Sequence, residues 1–511
     1  MDWISHQRPK KMSDVQVHMI LQKRSILTPL ILTTLLCLAF ALGCTPPPLM
    51  ASNLLPNVSP KMEEPEFWIK KTRNPGRLLL TLEEIQKMNE ESLKREGLFL
   101  CRVKDLKEEW TREEILALLD EDWEGFGRTA EIRYGQNGVP LDDLFWSNLK
   151  TNLSRDSIKD KNQISFGLIV KRTDIRVFPT EELSMSTPDN YEFDRFQHSS
   201  VSPGSLVGIY SFSKDKLWTY VQTRFIRGWV RTIDLAIAKE RTEAVDYEET
   251  KDRLVITGSF VKVFGDSLFQ QPVFVAQMGT SFPILNWPET GPAPSGYRAS
   301  RVRGTSPGEV NQCYMIKIPF RESDGRLSFR KGYIPGDEDI HLGFLPYTQE
   351  NLARQAFKML HQPYGWGEMF GARDCSRFIL DLFGTFGILM PRNSKLQARI
   401  GVPLGPVEGK TIKEKQKVLD HATPLATLLR LPGHIMLYLG SDNGRYYVIH
   451  SIWGIQRGGW FGPKLQQIGK VVVSDLSLGK TGPNQSLLHR ITDIQLIGPV
   501  LEAPRQSPLG P

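Results

Sequence analysis

The chain has 511 residues, enough for three or four domains with full cores. A composition of 40% hydrophobic and 24% charged residues excludes wholesale disorder. The formal net charge of +7 is spread out, with no Lys/Arg block interleaved with aromatics, so nucleic acid is not expected as a partner; a mild basic balance suits an anionic surface polymer.

In chain order, the first element is a targeting segment. Lys23 and Arg24 precede an apolar run from Ile26 to Leu42 and then Gly43-Cys44, which is the pattern of a charged region, a hydrophobic region and a small-residue processing site. The ending Ala41-Leu42-Gly43-Cys44 resembles a bacterial lipoprotein signal, although leucine is the commoner first residue of that motif. The resemblance implies a signal peptide over 1–43 and lipidation of Cys44. Alternatively, the run of about 17 apolar residues stays as a short membrane anchor. Either way the body is expected to be exported and membrane-anchored, facing the periplasm or cell wall. The long lead before Lys23 leaves Met19 as an alternative start. Cys101, Cys313 and Cys375 then remain, one in each of three regions, which argues against a disulfide framework. No C-x-x-C or His-x-x-x-His pair offers a metal site, and no cofactor is expected.

Residues 44–61 read as a Pro- and Ser-containing spacer. From 62 to 160 the pattern is helical, with capping boxes at Thr81/Glu84 and Thr111/Glu114. From 161 the period changes to two. Short strands such as "GSLVGIYSFS" and "LWTYVQT" fill 161–245, and a second series with "RLVITGSFVKVFG" and "CYMIKIPF" fills 246–345. Both end in a glycine-aromatic pair, Gly228-Trp229 and Gly332-Tyr333. The two series look like a pair of bacterial SH3-like barrels.

From 346 to 503 the pattern is α then β, an α+β layout, and 504–511 is a tail. In "GARDCSRFILDLFG", Phe378, Ile379, Leu382, Phe383 and Phe386 form one stripe of an amphipathic helix, with Gly387 as its stop. Cys375 falls in the first turn, where free N–H groups and the helix dipole favour an anion and are expected to lower the thiol pKa. A lone cysteine is more often buried and inert. A thiolate nucleophile needs a base oriented by a third group. His434 in "LPGHIMLYLG" and His450 in "RYYVIHSIWG" lie on strands joined by "GSDNG". A five-residue loop over 440–444 pairs Leu439 with Arg445 and sets His434 directly opposite His450; a two- or four-residue loop would send them to opposite faces.

"YGWGEMFGARDCSRF", "PGHIMLYLG" and "VIHSIWG" closely resemble NlpC-type cell-wall peptidases, which are papain-like cysteine peptidases that cut murein peptides. The order of a helical clip, two SH3-like barrels and a catalytic domain resembles the lipoprotein-associated form of that family. The resemblance implies a papain-like α+β catalytic domain with Cys375 as nucleophile, His434 as general base and His450 holding the tautomer of His434. It further implies that Tyr364 and Trp366 wall the nucleophile, with the Tyr364 hydroxyl a candidate oxyanion donor, and that Asp374, Ser376 and Ser394 contact the D-glutamate part of the substrate. Arg377 departs from the family's usual glycine, and is expected either to bind a substrate carboxylate or to point to solvent. In relatives of this architecture the first barrel closes one end of the cleft and admits a free L-alanine terminus; Asp194 in "YEFDRF" and Tyr220 in "LWTYV" are the candidates to meet its ammonium. The implied activity is cleavage of the γ-D-glutamyl-L-diamino acid bond by a monomer whose partners are murein peptides. The alternatives are an inactive wall-binding lipoprotein or an acyl or amide transferase on the same fold.

Overall fold

The computed structural model describes residues 54–285, 300–303, 310–457, 464–479 and 485–499. The expected signal peptide, Cys44 and the tail lie outside the described residues. No helix among the described residues is long and apolar enough to cross a membrane.

The N-terminal helices are Pro65–Lys71, Leu82–Lys94, Arg112–Phe126 and Asp143–Asn152. Both capping boxes form, with Thr81 and Thr111 accepting from the amides of Glu84 and Glu114 while those carboxylates reach back. The helices divide between two cores. Trp68, fully buried, packs on Tyr447 of the C-terminal sheet at 5.4 Å between ring centroids. The Leu78–Leu80 strand pairs with Tyr347 and Thr348 on the same side. Ile115, Leu119, Trp146 and Leu149 instead join Phe166, Tyr220 and Trp229 in the core of the first β unit.

That unit is one seven-stranded sheet in the order Leu235–Ile237, Ser165–Ile169, Leu206–Phe212, Trp218–Gln222, Arg227–Arg231, Thr173–Arg176, Gln197–Val201. The second unit has a five-stranded sheet, from Pro272–Gln277 to Ser300–Arg303, and a three-stranded one centred on Arg253–Ile256. In both units the glycine before the terminal aromatic sits where a Cβ would collide. One on Gly228 would come within 2.6 Å of Ile175, and one on Gly332 within 2.8 Å of Ile318.

The C-terminal sheet is antiparallel, in the order Val402–Pro403, Asp493–Leu496, Thr427–Leu431, His434–Asp442, Arg445–Arg457, Lys464–Asp475. Strand alternation divides its apolar residues cleanly. Ile435, Leu437, Ile449, Val471 and Val473 face the helix Cys375–Gly384; Met436, Tyr438, Val448 and Val472 face the other core, beside helix Ile412–Asp420. Phe378, Ile379, Leu382, Phe383 and Phe386 are fully buried, worth on the order of 10 kcal/mol of gross stabilisation before entropy. That packing fixes the helix, and hence where its first turn points. The helix Ile412–Asp420 carries a third capping box, Thr411/Glu414, which the reading of the sequence passed over.

Candidate active site

Cys375 is the first residue of its helix, and Asp374 is the N-cap, its carboxylate accepting from the Arg377 amide. The thiol is 7% exposed. The backbone amide of Ile435, which follows His434 on the neighbouring strand, favours the anionic form of the sulfur. These features do not depress the thiol as expected: burial and then the Asp374 charge push it up to about 12, against the pull of the Ile435 and Ser376 amides and Arg392. In the free protein, Cys375 is therefore a thiol.

His434 and His450 meet, with His434 Nε2 2.7 Å from His450 Nδ1. The expected register is wrong. The hairpin has a two-residue Asn443-Gly444 turn, both residues at positive φ, so Asp442 pairs with Arg445. Two residues alone would put the histidines on opposite faces. A bulge between Tyr438 and Gly440 restores the parity, and Gly440 holds it at φ 125°. Beyond the bulge Leu437 pairs with Ile449, so His434 reaches His450 diagonally rather than straight across.

A third member was missed. Ser474, fully buried on the next strand, lies 2.9 Å from His450 Nε2. This order fixes the tautomers when His434 is to receive a proton at Nδ1. His434 Nε2–H donates to His450 Nδ1, and His450 Nε2–H then donates to Ser474 Oγ. Burial, reinforced by the Arg490 charge, lowers His434 to about 4, and burial takes His450 well below its ordinary value.

The residues around the thiol are brought together as follows. The Tyr364 amide donates to Gly469 O at 2.8 Å, and its phenol is raised by burial and then by its neighbours Cys375 and Asp374. Trp366 is 38% exposed and stacks edge-on with Phe193 of the first β unit at 5.4 Å; Phe193 in turn meets Trp453 at 5.0 Å. Asp374 and Ser376 are buried and share Arg392, whose Nη2 lies 2.7 Å from Asp374 Oδ2 and Nη1 2.8 Å from Ser376 Oγ. Ser394 is half-buried and heads the helix Ser394–Gln397.

Three expectations need correction. Asp194 is fully buried. Its carboxylate accepts from the amides of Ser184 and Phe196 and pairs with Arg176 at 2.8 Å, so it presents nothing to the cleft. Tyr220 is fully buried too, with its hydroxyl given to Asp122 under the N-terminal helices. The loop of the first β unit meets the cleft wall elsewhere: the exposed Glu192 accepts from Gln467 Nε2 at 2.8 Å and from the Trp453 indole. Arg377 neither binds at the cleft nor faces solvent. It pairs with Glu368 at 2.9 Å and with Asp381 one turn along its helix, all three buried. Among the described residues, no His, Cys, Asp and Glu cluster is placed to hold a metal ion.

The SH3 domain family of the SH3b1 type matches residues 184–231. None of the curated proteins matches the sequence. An NlpC/P60 endopeptidase from Photobacterium damselae subsp. piscicida superposes with a TM-score of 0.66 at 18% identity, over 85% of this chain and 96% of that one. An NlpC/P60 family protein from Bacillus cereus ATCC 10987 aligns over 66% of this chain and 100% of its own at 14% identity, with a TM-score of 0.39. The protein thus has the α+β fold of an NlpC/P60 peptidase, with an SH3-like domain of the SH3b1 type in its N-terminal half.

Proposed function

We propose that the protein is a cysteine endopeptidase of peptidoglycan, with Cys375 as nucleophile, His434 as general base and His450 as the residue that orients it. The observation that carries this reading is the 2.7 Å contact between the two histidines, with His434 next to Ile435, whose amide favours the Cys375 thiolate. His434 Nδ1 takes the thiol proton as sulfur attacks the peptide carbonyl. The Cys375 amide and the Tyr364 hydroxyl support the oxyanion. Its collapse expels the amine, which leaves with the proton held by His434, and water then hydrolyses the thioester by the same route in reverse. Asp374, Ser376 and Ser394 supply the hydroxyl and carboxyl groups for the D-glutamate portion. Export through the N-terminal signal and anchoring through a lipid on Cys44 would set this body beside the wall.

Because His434 is held near 4, it remains an unprotonated base well below the ordinary histidine range. The acid limb of kcat/KM is therefore expected near pH 4, where His434 gains its proton, with activity retained at pH 5. An acid limb centred on an unperturbed histidine, about pH 6.5, would contradict that assignment.

The bond cleaved on this reading joins the γ-carboxyl of D-glutamate to an L-diamino acid. Phe193 and Glu192 lie across the wall formed by Trp366 and Trp453, which supports a cleft closed at one end by the first β unit. Glu192 then replaces Asp194 and Tyr220 as the acid available to a free ammonium. Free L-Ala-γ-D-Glu-diamino acid is expected to be cleaved at the γ-bond, as read by mass spectrometry, and sugar-linked stems at equal bond concentration far more slowly. Equal rates on both would reject the closed cleft and leave a general wall hydrolase. Cleavage at another bond would reject the specificity.

A further inference from the structure

We propose that Ser199, on a strand of the first SH3-like unit, is a positioning residue for the nucleophile. Its hydroxyl fixes the Arg392 guanidinium in the plane that clamps Asp374, the N-cap of the Cys375 helix. This rests on the assignment of Cys375 as nucleophile.

Ser199 is fully buried and bridges two opposite charges. Its hydroxyl donates to Glu368 Oε1 at 2.8 Å and accepts from Arg392 Nε at 2.6 Å. The other face of the same guanidinium reaches the catalytic helix. Nη1 lies 3.2 Å from Asp374 Oδ1 and 2.8 Å from Ser376 Oγ, and Nη2 lies 2.7 Å from Asp374 Oδ2. A planar fork held at Nε and at both Nη atoms has no rotational freedom left. Without the serine hydroxyl, the nearest anion to Arg392 Nε is Glu368, already 3.5 Å away. The guanidinium then keeps its Nη bonds but loses its restraint at Nε, and the pull of Glu368 draws it from the plane that fits Asp374.

The consequence falls on the thiol. The groups set against Cys375 are Asp374 beside it, Arg392 from the loop before the helix Ser394–Gln397, and the Tyr364 phenol on the preceding loop; His434, on the neighbouring strand, acts on Asp374. Asp374 opposes a thiolate and Arg392 favours one. Drawing Arg392 away leaves the carboxylate with only its amide and hydroxyl donors, so thiolate formation becomes harder. Ser200 is a matched control. It is equally buried on the same strand and its hydroxyl also donates to Glu368, but it makes no hydrogen bond to Arg392.

The test is alkylation of Cys375 by iodoacetamide in the full chain, across a pH series, with the modified residue located by peptide mass mapping. Ser199→Ala is expected to slow alkylation at pH 7 about tenfold and move its midpoint to higher pH, the scale of one lost charge-assisted bond. Ser200→Ala should stay within about twofold of the wild type while still lowering the melting temperature, since it too loses its hydroxyl bond to Glu368. Equal slowing in both variants, or none in either, would overturn the proposal. Because alkylation needs no murein substrate, this outcome is separable from the enzymatic reading. If Cys375→Ala still hydrolysed murein peptides, the nucleophile assignment would fail while the coupling of Ser199 to the thiol stood or fell on its own.

Discussion

Cys375→Ala is expected to abolish murein-peptide hydrolysis, a loss of at least about ten-thousandfold, because on this mechanism the acyl-enzyme forms on its sulfur. The fold should scarcely notice. The substitution removes one sulfur atom at a helix end, where alanine is a good helix former, and costs about 1 kcal/mol. His434→Ala should approach the same loss, since base and nucleophile act as one unit. His450→Ala should lose less, and Ser474→Ala less again. Each step along the relay only fixes the tautomer of the ring before it: Ser474 Oγ holds His450 Nε2, and His450 Nδ1 holds His434 Nε2. The check is kcat for the four variants beside their thermal unfolding curves. Full activity in Cys375→Ala or His434→Ala would sink the mechanism. Loss of fold and activity together in Cys375→Ala would return the residue to a structural role. A Ser474→Ala variant weaker than His450→Ala would break the proposed order of the relay.

What the sequence made legible was local. The capping boxes at Thr81 and Thr111 involve residues three apart, so they formed as expected. The apolar stripe of the Cys375 helix follows from a 3.6-residue period and is buried as expected. The histidine pair was reached by a route in which two features cancel: the turn is shorter than assumed, and a bulge adds the one residue that recovers the shared face. Bulges leave little trace in sequence beyond a glycine inside a strand, and Gly440 was that trace. Ser474 left a fainter one, a lone hydroxyl among valines on the face that carries His450. The fates of Asp194 and Tyr220 were not legible, because their partners Arg176 and Asp122 come from other strands and helices. Arg377 was half legible. Asp381 lies one helical turn on, a spacing at which opposite charges pair, but Glu368 reaches it only because the loop before the helix turns left-handed at Gly367, Glu368 and Phe370.

That loop sets up the largest expected loss of stability. Glu368, Asp374 and Asp381 face Arg373, Arg377 and Arg392 in one buried cluster, three carboxylates against three guanidinium groups. Such a cluster is not strong evidence of net stabilisation, but removing one partner strands its neighbours. Glu368→Gln leaves Arg377 and Arg392 short of an anion and should cost about 3–5 kcal/mol at neutral pH, a large fraction of what holds a domain together. Burial alone would raise the Glu368 carboxyl; Arg377, then Arg392 and Arg172, and the Ser200 hydroxyl more than offset this and hold it at about 2. A carboxylate with a depressed pKa stabilises the fold fully above its ordinary value of 4.5, and that contribution disappears as pH falls toward 2. The melting temperature of the wild type should therefore fall steeply between those two values. That of Glu368→Gln should start lower and fall less, so the two curves converge at acid pH. Parallel curves, or equal melting temperatures at pH 7, would show that the cluster is not what fixes the loop. Convergence with lost hydrolysis at pH 7 would tie the loop's left-handed geometry to the placement of Trp366 and Cys375 on either side of it.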